Sequence, residues 1–190
     1  MSKIIGLDVA FASLGYVVEE QDLAGEYKVV RAGAFHPPTK KDHSELQYAA
    51  DINFHRCLVW IFQLEELLAD EEPRVVFMEL PHGGAQSSRA MSMMAMALAL
   101  TAAAAHHYPN ILFLPVTPRD VKEAAVEKSS GSKEEVITAA LHYHPEIGTL
   151  VKLKGDLEHA CDAAMAIRAG MRNPQYKVAM ERSRVLSGAQ

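Results

Sequence analysis

Residues 75–79 are Val75-Val76-Phe77-Met78-Glu79, a continuous apolar run that ends on a carboxylate. Unbroken apolar runs of this length are typical of strands that helices bury on both faces, as in parallel sheets. A second run of the same kind covers residues 111–116, and helical patterns stand on both sides of the first run. The pattern therefore predicts an α/β fold in which these two strands are joined by a crossover.

The chain before residue 75 predicts three antiparallel strands and one long helix. Residues 4–7 are apolar and end at Asp8, while residues 14–19 and 27–35 alternate as half-buried strands do, with turn residues between them. Apolar positions then return at helical spacing over residues 44–70, and Pro73 ends that pattern.

The chain after residue 80 predicts the remaining helices. Residues 89–107 are hydrophobic nearly all round, so we expect this helix to be covered on a second side. Its apolar stretch falls short of the ~20 residues that cross a bilayer. A helix can begin at Pro118, and residues 132–143 and 157–169 predict two more. The order β-β-β-α-β-α-β-α-α describes a mixed five-stranded sheet, three antiparallel strands and then parallel crossovers, with helices on both faces.

Composition predicts one domain. The 190 residues, 49% of them apolar, suffice for one sizeable core, so we expect a domain over residues 1–170 and a basic tail over residues 171–190. We also expect no signal peptide, no membrane association and a cytoplasmic location, in a bacterium or phage-infected cell or with the nucleoid. The net charge of −5 is uneven: residues 1–80 carry 14 acidic and 7 basic side chains, whereas residues 81–190 carry 10 and 12. Nucleic-acid binding is therefore permitted by charge but not indicated by it.

Two carboxylates stand at or near the ends of apolar runs. Asp8 and Glu79 lie where a strand releases its chain, and a buried carboxylate there needs a partner or a hard cation. The alternative is that both are solvated acids at strand ends. A third group, Glu158, His159 and Asp162, has spacings that place these side chains near one face of the last predicted helix, among small alanines.

Four blocks of sequence, in order, resemble RuvC-type Holliday junction resolvases of the RNase H-like superfamily over about residues 3–170. The blocks are Ile5-Gly6-Leu7-Asp8 with Gly15-Tyr16; Val75-Val76-Phe77-Met78-Glu79; Thr117-Pro118-Arg119-Asp120-Val121-Lys122 with Gly131-Ser132-Lys133 and Val136; and His159-Ala160-Cys161-Asp162-Ala163-Ala164. Two departures count against a full match. Val9-Ala10 stands where the family has Pro-Gly, and residues 80–88 lack the aromatic that in some relatives inserts into the junction.

The resemblance implies an endonuclease that resolves four-way DNA junctions by paired nicking through two-metal phosphodiester hydrolysis. It assigns Asp8 as a bridging ligand, Glu79 to one Mg²⁺ and Asp162 to the other, with Mn²⁺ able to substitute. His159 stands where the family has Asp or His, so it would contact a metal, move a proton or orient water. A helix rotated by one residue would present Glu158 in its place.

The resemblance also implies a DNA contact surface and a homodimer. Lys122 and Lys133 match positions that hold phosphates in the family, and Arg119 is close enough in sequence to help. Phosphate contacts suit recognition of a branched shape, because they position the backbone without reading bases. A two-fold dimer would offer one site to each of two opposed strands, and we expect the apolar helix to form its interface. The histidines near the ends of two helices, His106, His107, His142 and His144, are interpreted as surface residues.

Three other functions stay open at this point. A general RNase H-like nuclease would use the same ligands on flaps or RNA–DNA hybrids. A junction-binding protein without catalysis is favoured if Val9-Ala10 and His159 spoil the metal geometry. An ATP-binding protein of the actin-like superfamily shares the sheet order, but the sequence lacks a second Asp-Gly phosphate loop.

Overall fold

Five strands form one mixed sheet in the order β3-β2-β1-β4-β5. The computed structural model describes residues 2–39, 48–81, 87–178 and 181. The strands are β1 (Lys3–Val9), β2 (Leu14–Gln21), β3 (Tyr27–Phe35), β4 (Val75–Glu79) and β5 (Leu112–Val116). β1, β2 and β3 pair antiparallel, whereas β4 is parallel to both β1 and β5. The predicted mixed α/β sheet is confirmed.

Within the described ranges the structure gives bounds for six helices, two more than the predicted order contains. They are α1 (Ala49–Glu71), α2 (Ser88–His107), α3 (Pro118–Val126), α4 (Lys133–Tyr143), α5 (Glu146–Leu150) and α6 (Lys154–Met171). α3 begins at the proline where a helix start was expected, and a capping box between Thr117 and Asp120 fixes that start. The five-residue α5 was missed because it is too short to show a period. Residues 44–47 of the predicted first helix lie outside the described residues.

The two faces of the sheet carry separate hydrophobic cores. On one face, α6 packs with α3 and α4 over residues such as Phe77 and Val116. On the other face, α1 and α2 cover Ile5, Leu7 and Val76. The side chains of β4 alternate between these cores, which explains why its sequence is apolar at every position before Glu79.

Glycine and alanine allow α6 to lie unusually close to β1 and β2. A Cβ atom on Gly15 would stand 2.5 Å from the carbonyl oxygen of His159, and one on Gly6 would overlap the backbone of Ala163. Any side chain at either glycine would push the helix off the sheet. The close approach predicted from the alanines of this helix is therefore present, and it brings α6 against the strand that carries Asp8.

None of the described residues covers the second side of the apolar helix α2. Its 20 residues satisfy the length and composition of a membrane span, alone among the helices in the described ranges, so the expectation that its apolar stretch is too short was wrong. Such a match is weak evidence, because core helices pass the same test. Met93, Met96 and Leu100 pack on the core of the sheet, whereas Met91 and Leu98 are 61% and 50% exposed.

One of the four histidines that we placed at the surface is partly buried instead. His144 directs Nε2 to within 3.5 Å of Oε1 of Glu19, whose side chain is 2% exposed. Burial raises the pKa of Glu19 to about 7, with a smaller contribution from Glu146. Burial also lowers the pKa of His144. The surface interpretation failed here because α5 folds back over the end of α4, which sequence periodicity did not reveal.

Candidate active site

The first two predicted carboxylates are neighbours across parallel strands. Asp8 of β1 pairs in register with Glu79 of β4. Both strands run in the same direction, so their carboxyl ends meet at one edge of the sheet, and both side chains point toward α6. Asp8 lies one residue before the end of its strand, slightly inside the predicted boundary.

The third element of the site is α6, which presents His159 and Asp162 to the same edge. Nδ1 of His159 lies 2.6 Å from Oδ2 of Asp8, and the N–H donates to that carboxylate. Nε2 of the same ring lies 2.9 Å from Oγ of Ser13. The imidazole is therefore held at both nitrogens, by β1 on one side and by the loop after β1 on the other.

Electrostatics shows that the three carboxylates form one group. Burial, and then the charges of Asp8 and Asp162, raise the pKa of Glu79 to about 8, although Lys122 acts against them. Burial, Asp8 and Glu158 raise the pKa of Asp162 to about 7. Like charges in a half-desolvated site disfavour full ionisation, so the cluster lacks compensating positive charge.

The pKa of His159 moves in the opposite direction from that of a simply buried histidine. Its hydrogen bond to Asp8 raises the pKa, while desolvation lowers it to a smaller degree, and further charges at Glu158 and Asp162 add to the increase. The acids around the ring therefore favour its protonated form.

Two of the three predicted phosphate-binding residues lie beside this cluster. Lys122 of α3 is close enough to Glu79 to lower its pKa, and Lys133 at the start of α4 does the same for Asp162. The third, Arg119, is 75% exposed and pairs with Glu123 on its own helix at 2.7 Å. Phosphate binding by Lys122 and Lys133 stays a prediction, and Arg119 is not among the groups that act on the cluster.

Glu158 has a different position from the one that the reserve assignment gave it. Its Oε1 forms an ion pair with Nζ of Lys133, while the neighbouring His159 takes the place next to Asp8. Helix α6 therefore has the register that presents His159, and Glu158 lies at the rim, where it partly neutralises a basic side chain.

Sequence reasoning missed Ser13, which is 5% exposed and bonded to the histidine. It stands five residues after Asp8 and two before Gly15. Serine is common in short connections between strands, so the residue type alone did not indicate that Ser13 belongs to the site. The contact depends on an element that lies 146 residues farther along the chain.

The donor chemistry fits a hard divalent cation. Among the described residues, no three His, Cys, Asp or Glu side chains already converge as a complete metal cluster. However, Asp8, Glu79 and Asp162 are oxygen donors from three elements. The charge of Asp8 raises the pKa values of Glu79 and Asp162, and the charge of Asp162 adds to the increase at Glu79. Carboxylate oxygens are the protein ligands that Mg²⁺ and Mn²⁺ prefer. Asp8, Glu79 and Asp162 would hold such ions, with His159 beside them.

Comparison with known proteins identifies the fold. No protein-family model matches the sequence, and no curated protein matches it.

Solved structures do match. The structure of RuvC from Thermus thermophilus superposes with a TM-score of 0.64 at 18% identity, covering 90% of this chain and 95% of that one. The T. thermophilus RuvC complex with a Holliday junction substrate gives 0.62 and 18%, covering 88% and 91%. Ydc2, the yeast mitochondrial Holliday junction resolvase, gives 0.62 and 14%, covering 90% and 78%. The resemblance in four short blocks of sequence thus extends to the whole architecture, and the chain has the RNase H-like fold of the RuvC and Ydc2 resolvases.

Proposed function

We propose that this protein is a metal-dependent endonuclease that resolves four-way DNA junctions by paired nicking. The observation that carries the proposal is the cluster of Asp8, Glu79 and Asp162, which three separate elements bring to one edge of the sheet. Its support is twofold: the electrostatics of the cluster calls for cations, and the fold is shared with proteins described as Holliday junction resolvases.

The chemistry follows from the groups present. Two divalent cations, when bound, make a water more acidic and stabilise the leaving oxygen of a phosphodiester. The charge of Asp8 acts on both Glu79 and Asp162, so Asp8 is the candidate for a ligand shared by two cations. Glu79 and Asp162 would each hold one of them. His159 is fixed with Nδ1 toward Asp8, where it can orient that carboxylate or accept a proton.

Lys122 and Lys133 would contact the DNA backbone on either side of the carboxylates. Their positive charges already act on Glu79 and Asp162, so a phosphate near those acids lies within reach of both. Such contacts hold a backbone in register without selecting a sequence. They therefore suit a substrate that is recognised by its branched shape.

A homodimer through the uncovered face of α2 would complete the proposal, because two opposed strands need two sites. Met91 and Leu98 are the outward side chains of that helix, and Phe54, Leu58 and Phe62 are exposed on α1 beside it. We expect Leu98→Glu to give a soluble monomer by light scattering, since two unpaired charges would be buried across the axis. Leu23→Glu is the matched control, because it makes the same change at a residue that is 96% exposed in the turn between β2 and β3, outside α2. A monomeric unmutated protein at tens of micromolar would contradict the dimer.

A binding protein without catalysis is the second candidate. It is favoured by the hydrogen bond between His159 and Asp8, which occupies a carboxylate oxygen that a metal would need. It is also favoured by the incomplete convergence of donor side chains among the described residues.

Nicking of a labelled four-way junction, with Mg²⁺, Mn²⁺ or EDTA, tests both candidates. We expect cleavage of two opposed strands that depends on the metal. A linear duplex of the same sequence is the control for shape, and a flap and an RNA–DNA hybrid test the general nuclease. Tight junction binding without cleavage in either metal would favour the non-catalytic protein.

A further inference from the structure

The loop between β1 and β2 is held rigidly by α1. Nε1 of Trp60 donates to the carbonyl oxygen of Ala10 at 3.2 Å, and an Nη of Arg56 donates to that of Phe11 at 3.3 Å. The Arg56 guanidinium also stacks on the Phe11 ring, 4.6 Å from its centre. Within the loop, the N–H of Ala10 donates to the carbonyl oxygen of Ser13 at 3.2 Å.

The result of this bracing is a buried hydroxyl aimed at one atom of the site. Oγ of Ser13 meets Nε2 of His159 at 2.9 Å, while Nδ1 faces Asp8. Gly15 allows the backbone of His159 to lie against β2, so the ring has little freedom to move away from the hydroxyl. The two ring nitrogens are thereby given different partners, a hydroxyl and a carboxylate.

We propose that Ser13 is a positioning residue, whose hydroxyl fixes the orientation of the His159 ring so that Nδ1 faces the Asp8 carboxylate and any cation held there. The inference rests on the proposed function. A serine hydroxyl both donates and accepts, so it can satisfy Nε2 whether or not that nitrogen carries a proton. With a cation at Nδ1, the remaining ring proton lies on Nε2 and donates to Oγ. Partners of this kind fix metal-ligating histidines, and their loss costs about 10- to 100-fold in metal affinity.

Two variants separate positioning from mere packing. Ser13→Ala removes the hydroxyl and leaves a cavity of about one atom, whereas Ser13→Thr keeps the hydroxyl. Ser92→Ala is the matched control, because Ser92 also bonds a single partner but lies on the exposed side of α2. Junction binding in EDTA, measured for all variants, reports whether the fold and the DNA surface are intact.

The first readout is Mn²⁺ binding to the DNA-free protein, followed by electron paramagnetic resonance. We expect Ser13→Ala to bind Mn²⁺ at least about 10-fold more weakly, and Ser13→Thr and Ser92→Ala to match the unmutated protein within about twofold. Equal affinity in Ser13→Ala would overturn the inference and leave the nuclease proposal standing. An unmutated protein that neither binds Mn²⁺ nor cleaves junctions would overturn both.

The second readout needs no metal. Long-range ¹H–¹⁵N spectra of the metal-free protein report which nitrogen of His159 carries a proton. We expect one sharp set of His159 ring signals in the unmutated protein and in Ser13→Thr, and shifted or broadened ring signals in Ser13→Ala, where the ring can move. Identical His159 signals in Ser13→Ala and the unmutated protein would overturn the assignment, whatever the result with Mn²⁺.

Discussion

Buried carboxyls with raised pKa values occur at both ends of the antiparallel ladder between β1 and β2. At one end, where Asp8 pairs with Gly15, burial and neighbouring acids raise the pKa of Glu79 to about 8 and that of Asp162 to about 7. At the other end, where Ile4 pairs with Glu19, burial raises the pKa of that glutamate to about 7 beside His144.

The two ends differ in what surrounds the carboxyls. At the first end, the charge of Asp8 acts on both Glu79 and Asp162, and two lysines stand at the rim. At the second, one acid faces one histidine, and burial is the main cause of the shift. A raised pKa alone therefore does not mark function. Repulsion between neighbouring carboxylates, with basic side chains close by, is the more informative signature, because a cluster of this kind favours the binding of a positive charge.

The largest expected effect is a loss of cleavage, and only variants at the end that carries Glu79 and Asp162 should show it. Glu79→Gln and Asp162→Asn should each abolish cleavage, a loss of at least about 10³-fold, or about 4 kcal/mol of barrier, while junction binding in EDTA stays unchanged. Quantitative nicking under single-turnover conditions measures the loss. The same variants should unfold at a higher temperature than the unmutated protein in EDTA at pH 9, which also checks folding. Full activity in both variants would remove the metal assignment.

The higher unfolding temperature expected at pH 9 follows from the coupling between protonation and folding. The folded pKa of Glu79, about 8, lies above the ordinary value of 4.5. Stability from its protonated form is complete below pH 4.5 and is lost as the pH rises through 8. An amide has no such loss, so the variant gains relative to the unmutated protein at alkaline pH.

The second effect is a change in stability with no change in cleavage activity. Glu19→Gln should leave cleavage unchanged and raise the free energy of unfolding by up to a few kcal/mol at pH 8, with no gain at pH 4.5. The sign follows from a folded pKa of about 7 against 4.5, since protonation of Glu19 stabilises the fold at low pH and is lost as the pH rises through 7. Urea unfolding at the two pH values measures the difference. A cleavage defect here would erase the distinction between the two ends.

The third effect tests the lysines, which distinguish the first end. Lys122→Ala and Lys133→Ala should each weaken junction binding at all sequences and reduce the slope of log affinity against log salt by roughly one. Lys152→Ala, an exposed lysine elsewhere, is the control. If neither slope changes, the lysines are ordinary surface residues.

The smallest expected effect comes from Glu158. Glu158→Gln releases Lys133 from its ion pair, so junction affinity should rise by about 2- to 5-fold, the range of an exposed pair. The double variant with Lys133→Ala should show no such gain. Fluorescence anisotropy at low salt has the needed accuracy, and a gain that persists in the double variant would separate Glu158 from Lys133.

Much of the fold was predictable because its strands have plain patterns. Apolar runs that end on Asp8 and Glu79 predicted two strands, but only the family resemblance placed the two acids in one site; the structure shows them in register on parallel strands. Asp162 and His159 needed the family resemblance as well, since a helix full of alanines does not say which edge of the sheet it covers.

The contacts that refine the site were not predictable from one sequence. The bonds of His159 to Ser13 and Asp8, and of Lys133 to Glu158, depend on how closely α6 lies on the sheet and on individual rotamers. The pair of Glu19 and His144 depends on the short α5, which has no periodic signal. The loop over residues 80–88 lacks the aromatic that some relatives insert into the junction. Residues 82–86 of that loop lie outside the described residues.

The long sequence separation between Asp8 and His159, 151 residues, has a consequence for synthesis. β1 leaves the ribosome early, and β4 can pair with it as soon as α1 has formed. Helix α6 follows only after every other strand and helix of the sheet. Repulsion among the acids is thus completed only when α6 docks, and a nascent chain that has not yet released α6 has no assembled carboxylate cluster.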